Sequence, residues 1–271
     1  MHLTTSSGSI IRATSAAPRS ADIGRSPLCR TDASEVVPLR HADRCGRWLL
    51  PLIQWKSDRS FLNEAQKRMA DWNGLLDRVA SVSRSPLRPQ MVMRALSDLL
   101  ADDAIISLDC GAHTHFAARM IRLRDRQFLT GTGMMATMRP GAAFAIAGQL
   151  AHPGRQEVTV VGDGGFAMLM AELSTAVANN LPIKIILLKN NSLGEVKLEQ
   201  KEIGNPEFGC DLAPIDFVAF AKACGADAFR CERPDEVRTA ISAALRSPKP
   251  ALVEALVDAN ERPAKPDELK V

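Results

Sequence analysis

Two short polar turns in the middle of the sequence carry residue types that bind metal ions and phosphate. Gly162-Asp163-Gly164-Gly165 follows the run Val158–Val161, and Asn190-Asn191-Ser192 follows the apolar run Ile183–Leu188. Carboxylate and amide oxygens are hard ligands, and Mg²⁺ takes a few of them together with phosphate oxygens and water. Glycines let backbone N–H groups approach a diphosphate closely, and a helix N-terminus favours the negative charge. The turns therefore predict a site for Mg²⁺ and a phosphorylated ligand.

A strand–helix–strand unit must position these two turns. Val158–Val161 and Ile183–Leu188 are short apolar runs that predict buried parallel strands. Apolar residues at helical spacing predict a helix from Phe166 to Asn180, which Leu181-Pro182 ends. Because ligands bind at the carboxyl ends of parallel strands, both turns are expected at one edge of the sheet. A Rossmann-like module for another phosphate ligand would contain a similar glycine turn, but it would not need the Asn190 turn.

The same alternation of strands and helices extends on both sides of this unit. Further strands are predicted at Ala104–Leu108, Phe128–Gly133, Ala226–Cys231 and Ala251–Val257. Further helices are predicted at residues 58–80, 89–100, 112–122, 141–148, 194–200, 215–224 and 234–245, with a loop at 203–214. This order predicts an α/β fold with an open, mainly parallel sheet and helices on both faces.

The chain divides by composition into four segments. Residues 1–54 are rich in Ser, Thr, Ala and Arg without either periodicity, which favours a disordered extension, although a transit peptide has the same composition. Residues 55–88 predict a helix and a linker, residues 89–260 the domain that carries the turns, and residues 261–271 a charged tail.

Composition narrows the class of protein. With 271 residues, 46% of them hydrophobic, the chain can bury one substantial core. The net charge of +3 is not concentrated in the central domain, so nothing favours nucleic-acid binding. Six cysteines without metal-ligand spacing are typical of a reduced cytoplasmic protein, and no apolar run reaches the length of a membrane span.

Together the two turns resemble the thiamine diphosphate signature of the pyruvate oxidase, acetolactate synthase and decarboxylase superfamily. The resemblance implies thiamine diphosphate and Mg²⁺ as cofactors. It implies that Asp163 and Asn190 bind the ion through their side chains and that Ser192 binds it through its carbonyl. Gly162, Gly164 and Gly165 would then face the diphosphate.

The loop Asp109-Cys110-Gly111-Ala112-His113 resembles the first phosphate-side loop of this family, where acetolactate synthases carry Gly-Gln-His. By this match Gly111 and His113 are expected to contact the diphosphate. A lone histidine at a helix start is also often a capping or surface residue. His115 is interpreted as such a surface residue.

Ala136-Thr137-Met138 resembles the family turn whose methionine wedges under the cofactor and forces its two rings into a bent shape. The resemblance implies that Met138 is this wedge and that the backbone of Ala136 and Met138 faces the pyrimidine. Without the resemblance, methionines near a helix start indicate core packing. Arg139-Pro140 follows, where relatives have smaller or apolar residues.

The run from Gly194 to Gln200 contains Glu195, Lys197 and Glu199, a pattern typical of a solvated helix face. In pyruvate oxidases a glutamate at the position of Glu199 lies beside the substrate. The resemblance therefore implies a catalytic, substrate-side role for Glu199, and Glu195 is assigned to the solvated face.

Thiamine diphosphate supplies a nucleophilic carbon that attacks a 2-oxo acid and takes up the charge left after loss of CO₂. The helix beginning Asp58-Arg59-Ser60-Phe61-Leu62 resembles the one leading out of the middle domain of pyruvate oxidases, so pyruvate is the expected substrate. A decarboxylating or oxidising enzyme is expected, with an acetolactate synthase-like carboligase component as the alternative.

Two domains of this superfamily have no counterpart in the sequence. One is the pyrimidine-binding domain, whose glutamate activates the cofactor, and the other is the middle domain, which binds FAD in the oxidases. A homo-oligomer or a complex with a pyrimidine-binding subunit is therefore expected, and FAD only if a middle domain is supplied elsewhere. An orphan domain that binds the cofactor without activity is the other alternative.

Overall fold

The computed structural model describes residues 58–263, except for the side chain of Met134. The chain divides into two units, residues 1–61 and residues 62–271. Of the first unit, only residues 58–61 are described, and they lead into the first helix. The predictions for residues 1–54 and for most of the tail therefore lie outside the described residues.

Six strands form one open sheet in the order β2-β1-β3-β4-β6-β5. Every pairing between these strands is parallel, so the expected α/β fold is confirmed and the sheet is wholly parallel. The strands are β1 (Ile105–Leu108), β2 (Phe128–Thr130), β3 (Glu157–Gly162), β4 (Lys184–Lys189), β5 (Asp227–Cys231) and β6 (Ala251–Leu256).

Helices connect the strands. They are α1 (Ser60–Ser81), α2 (Pro89–Leu99), α3 (Ala112–Met120), α4 (Gly141–Ala151), α5 (Asp163–Leu169), α6 (Glu172–Ala178), α7 (Gly194–Glu202), α8 (Phe217–Ala223) and α9 (Pro234–Arg246). Within residues 58–263, none of these helices is long and apolar enough to cross a membrane.

Both faces of the sheet are covered, because the central strands are apolar on both sides. Val158 and Val160 of β3 pack on one face with α2, α3 and α9, whereas Val161 packs on the opposite face with α4, α5, α6 and α8. Such double burial is typical of parallel sheets and explains the continuous apolar runs in the sequence. The prediction of helices on both faces is confirmed.

The single helix predicted from Phe166 to Asn180 is wrong in two respects. It begins three residues earlier, at Asp163, and it is interrupted between Leu169 and Glu172. At the interruption the Ser174 N–H bonds to the Ala171 carbonyl at 3.0 Å, and the Ser174 hydroxyl donates to the same carbonyl at 2.7 Å. A serine hydroxyl that binds a nearby carbonyl competes with the regular helical bond, which periodicity of apolar residues does not reveal.

The predicted linker before α2 is attached to the end of the sheet. Leu87 is fully buried and forms a parallel bridge with Val257, just beyond β6. Its N–H donates to the Leu256 carbonyl at 3.1 Å, and its carbonyl accepts from the Asp258 N–H at 2.9 Å. The linker therefore places α2 and the segment after β6 beside each other.

Candidate cofactor site

The strand order reverses direction at β1. The chain passes from β1 outward to β2, and β3 then lies on the other side of β1. A crevice forms where connections leave a parallel sheet in opposite directions, and ligands bind there at the carboxyl ends of the strands. The loops after β1 and β3 flank this point, and the loop after β4 is adjacent.

One cavity of about 440 Å³ lies at this edge of the sheet. This volume is typical of a small-molecule site. All the site residues predicted from the sequence line it: Gly111, His113, Ala136, Met138, Gly162, Asp163, Gly164, Gly165, Asn190, Ser192 and Glu199. The fold thus brings together residues from five separate stretches of the chain.

The Asp163 carboxylate connects the loops after β3 and β4. Its Oδ2 accepts the N–H of Asn191 at 2.6 Å and of Asn190 at 3.2 Å, while Oδ1 accepts the N–H of Gly164 at 3.0 Å. Burial raises the pKa of Asp163, and these three backbone donors oppose that rise. A cation placed here would compensate the burial of the carboxylate, because opposite charge favours the ionised form.

Asn190 and Ser192 shape the second loop. The Asn190 Oδ1 accepts the Ser192 N–H at 3.0 Å, which is an Asx turn. Backbone bonds from Leu193 to Cys210 and from Leu212 to Asn191 flank Ser192, and neither uses the Ser192 carbonyl. Asn190 and Ser192 thus both line the cavity, and the Asn190 amide oxygen keeps a second lone pair.

These residues fit a magnesium ion held jointly with a phosphate ligand. Within residues 58–263 no cluster of three or more His, Cys, Asp or Glu side chains could hold a metal by itself. The donors present are one carboxylate, one amide and one carbonyl, and Mg²⁺ completes such a set with phosphate oxygens and water. The chemistry of the donor set suits Mg²⁺ and not a thiolate- or imidazole-bound transition metal.

Three glycines of the site leave little room for a side chain. A Cβ on Gly162 would lie 3.0 Å from His113 Nδ1, a Cβ on Gly164 would lie 2.8 Å from a methyl group of Leu193, and one on Gly165 would lie 2.7 Å from Asp109 Oδ2. Three other site loops therefore contact the Gly-rich turn. Its backbone, and not its side chains, forms this part of the cavity wall.

His113 is buried at the start of α3, and only 6% of it is exposed. Its ring donates a hydrogen bond to the Asp109 carbonyl, while Nε2 is buried and has no hydrogen-bond partner within the described residues. Burial lowers the pKa of His113 to about 4. At neutral pH the ring is therefore uncharged, and Nε2 presents a lone pair, not a proton, to the cavity.

The segment from Ala136 to Gly141 carries the predicted wedge. Ala136 and Arg139 have φ angles of 44° and 87°, in the left-handed region that favours glycine. The Met138 side chain between them is half-buried, and its methyl group would lie 3.7 Å from a Cβ on Gly164. Met138 thus projects over the Gly-rich turn.

Two carboxylates of α7 lie on the same side of the cavity as Cys110. Burial raises the pKa of the Cys110 thiol, and the charges of Asp109, Glu195 and Glu199 raise it further. Glu195 is not simply on a solvated face: its Oε1 lies 3.3 Å from Nε2 of His115, and its Oε2 is buried without a hydrogen-bond partner in the described chain. Glu195 is therefore only partly solvated, whereas His115 is exposed, as the sequence predicts.

The segment after β6 forms another wall that sequence reasoning did not identify. Residues 258–263 line the cavity. Glu261 holds this segment by accepting hydrogen bonds from Arg84 at 2.5 Å, Arg88 at 2.8 Å and Gln90 at 2.7 Å. A charged tail gives no local signal of this role, because its partners lie more than 170 positions away.

Comparisons with known proteins identify relatives of this domain. A family model described as "Thiamine pyrophosphate enzyme, C-terminal TPP binding domain" matches residues 109–255. The chain is 37% identical over 217 residues to YdaP of Bacillus subtilis, whose descriptive name assigns it thiamine pyrophosphate. It is 35% identical over 184 residues to a chloroplastic acetolactate synthase of Nicotiana tabacum, and 26% identical over 253 residues to a pyruvate oxidase of Lactiplantibacillus plantarum.

The chain is much shorter than these relatives. The matches cover 80%, 64% and 92% of the chain, but only 38%, 27% and 42% of the three relatives. The chain thus spans less than half the length of each of these relatives.

Proposed function

Because this chain belongs to the thiamine pyrophosphate enzymes through their C-terminal cofactor-binding domain, we propose that it binds thiamine diphosphate and Mg²⁺ in the cavity at the carboxyl edge of the sheet. Asp163 and Asn190 hold the ion through their side chains, and Ser192 holds it through its carbonyl. The backbone of Gly162, Gly164 and Gly165 faces the diphosphate. The observation that carries the proposal is that Asp163 joins the loops after β3 and β4 beside the cavity of about 440 Å³.

We propose that His113 contacts the diphosphate, as the resemblance implies. Its Nε2 has no hydrogen-bond partner within the described residues. The charge of an approaching diphosphate favours the protonated ring, whose Nε2 then donates to a phosphate oxygen. Gly111, which allows the ring to pack closely against the loop backbone, remains a candidate for the phosphate side.

The proposed reaction class is the decarboxylation or oxidation of a 2-oxo acid, with pyruvate as the proposed substrate. The bound cofactor supplies the nucleophilic carbon and accepts the charge left after loss of CO₂. In this chain Met138 supports the bent cofactor, the backbone of Ala136 faces its pyrimidine, and Glu199 stands at the substrate side. Relatives named pyruvate oxidase and acetolactate synthase support both an oxidising and a carboligating version.

Complete activity requires a pyrimidine-binding domain. No segment of this sequence resembles such a domain. We infer that this domain comes from a partner, either another polypeptide or another copy of a longer protein. FAD would require a middle domain supplied elsewhere. The relatives extend well beyond the matched regions, which are 27–42% of their length.

Calorimetric titration tests the proposed function. We expect the purified chain to bind thiamine diphosphate with Mg²⁺ and to bind it at least about tenfold more weakly when the ion is removed. In Asn190→Ala, the affinity for thiamine diphosphate should depend much less on Mg²⁺, because the substitution removes one ligand of the ion. Asn205→Ala is the matched control, since Asn205 is exposed and lies outside the cavity wall.

Two outcomes would contradict the proposal. If the cofactor does not bind with Mg²⁺ present, the assignment fails. If Asn190→Ala binds as tightly as the wild-type chain, a Rossmann-like module for another phosphate ligand explains the site better. Decarboxylation of pyruvate by the purified chain alone would overturn the need for a pyrimidine-binding partner.

A further inference from the structure

Asp109 is the first residue after β1 and lies at the point where the strand order reverses. Only 1% of it is exposed. A buried carboxylate needs specific hydrogen bonds, because transfer of an ionised group out of water is unfavourable. The identity of those partners indicates what Asp109 does.

One oxygen of Asp109 organises the segment that follows Met138. Its Oδ1 accepts the N–H of Arg139 at 2.7 Å and the N–H of Cys110 at 2.7 Å. Gly141 lies close by, since a Cβ on it would be 3.2 Å from the Asp109 Cβ. The carboxylate therefore fixes the backbone immediately after the predicted wedge, just before α4.

The segment needs such a bond because its backbone is strained. Arg139 has a φ of 87°, and a non-glycine residue in such a conformation costs on the order of 1–3 kcal/mol. The Arg139 N–H is the group that Asp109 holds. The bond from Asp109 thus stabilises the conformation that directs Met138 over Gly164.

The other parts of Asp109 contact the remaining loops of the site. Its Oδ2 faces Gly165, where a Cβ would lie only 2.7 Å away, and it has no hydrogen-bond partner in the described chain. Its backbone carbonyl accepts the Thr114 hydroxyl at 2.6 Å and the ring of His113. Asp109 therefore touches the Gly-rich turn, the wedge segment and the loop that carries His113.

We propose that Asp109 is a positioning residue that holds the 136–141 segment in place for the thiamine rings, separately from the anchor for Mg²⁺ and diphosphate at Asp163 and Asn190. Asp109 does not line the cavity and acts through Arg139 and Met138. This inference rests on the proposed function. It predicts that loss of Asp109 weakens binding of the rings and leaves binding of the diphosphate intact.

The test compares two ligands on the folded chain, inorganic pyrophosphate with Mg²⁺ and thiamine diphosphate with Mg²⁺. For Asp109→Ala we expect at least about tenfold weaker binding of thiamine diphosphate, corresponding to loss of a charge-assisted hydrogen-bond network. Binding of pyrophosphate should stay within about twofold. The near-ultraviolet circular dichroism of the bound cofactor, which responds to the environment of its rings, should change as well.

Two variants complete the comparison. Asp109→Asn keeps an oxygen that can accept from Arg139, so we expect it to retain thiamine diphosphate affinity within about threefold and to keep the dichroism of the wild-type complex. Asp102 is exposed and lies before the amino end of β1. Asp102→Ala should therefore change the affinity for neither ligand. If Asp109→Ala does not fold, Asp109→Ser, whose hydroxyl is one bond shorter than the carboxylate, is judged by the same criteria.

The outcomes separate this inference from the proposed function. Equal losses for both ligands would overturn it, because Asp109 would then support the whole fold. Unchanged affinity and dichroism for thiamine diphosphate would overturn it too. A wild-type chain that binds neither ligand would overturn the proposed function itself, whereas a selective loss in Asp109→Ala supports both.

Discussion

The Asp163 carboxylate accepts the Asn191 N–H at 2.6 Å, across 28 positions of sequence, and so joins the loops that follow β3 and β4. The same carboxylate is the proposed ligand of Mg²⁺. It therefore shapes the site and supplies its charge, and a substitution that keeps the shape separates the two roles.

Asp163→Asn tests the role of that charge. Asparagine keeps one oxygen for the backbone donors but removes the negative charge that attracts Mg²⁺. We expect thiamine diphosphate affinity in the presence of Mg²⁺ to fall by at least about tenfold, with the folded state retained. Calorimetry and thermal unfolding measure the two effects, and Asp71→Asn, at an exposed position of α1, is the control. Unchanged affinity would exclude Asp163 as the principal ligand.

Gly165→Ala tests the close contact with Asp109. The added Cβ would lie 2.7 Å from Asp109 Oδ2, and both groups are buried. Although alanine favours helices, we expect the free energy of unfolding to fall by about 1–3 kcal/mol because the carboxylate must shift. Denaturant titration measures the change. Gly131→Ala is the control, since its Cβ would make ordinary contacts at 3.5 Å or more. Equal stability of the two variants would contradict the contact.

Glu157→Gln tests a buried carboxylate at the amino end of β3, opposite the end that carries the Gly-rich turn. Burial raises the pKa of Glu157 to about 7, although the Ser107 hydroxyl and Arg155 lower it. The folded chain therefore binds a proton that the unfolded chain releases between pH 4.5 and about 7. The stability that the folded chain gains from this bound proton is fully present below this window and is lost as the pH rises through it.

The neutral glutamine should remove this dependence. Through this window we expect the free energy of unfolding of the wild type to decrease more steeply with pH than that of Glu157→Gln. The difference between the two slopes should be up to about 1.4 kcal/mol per pH unit. Denaturant titrations across the window measure both slopes, and Glu202→Gln, an exposed substitution, should follow the wild-type profile. Parallel profiles for the wild type and Glu157→Gln would show that Glu157 ionises normally.

Glu261→Ala tests the segment that closes one side of the cavity. Its carboxylate accepts from Arg84, Arg88 and Gln90, and only 11% of its side chain is exposed. We expect a loss of about 1–3 kcal/mol in the free energy of unfolding and faster dissociation of thiamine diphosphate, because residues 258–263 would be released. Glu64→Ala breaks only an exposed pair on α1 and should change stability by less than about 1 kcal/mol. An unaltered dissociation rate would show that this wall does not retain the cofactor.

Much of the fold follows from local patterns. The apolar runs of β3 and β4 predict parallel strands because residues buried on both faces must be apolar at successive positions. Gly162–Gly165 and Asn190–Ser192 are predicted at one edge because parallel strands point the same way, and both turns line the cavity there. The interruption after Leu169 leaves no trace in the sequence pattern, because the apolar residues keep helical spacing across it.

Periodicity and residue type at short spacing predict the order of the strands and of most helices, the family and the two polar turns. The roles of Asp109, of the Glu195–His115 pair and of residues 258–263 become visible in the tertiary structure. Each depends on contacts between distant segments: Asp109 meets Arg139 30 positions later, and Glu261 meets Arg88 173 positions earlier. Local periodicity carries no information about such pairs, because the folding of the whole sheet brings them together.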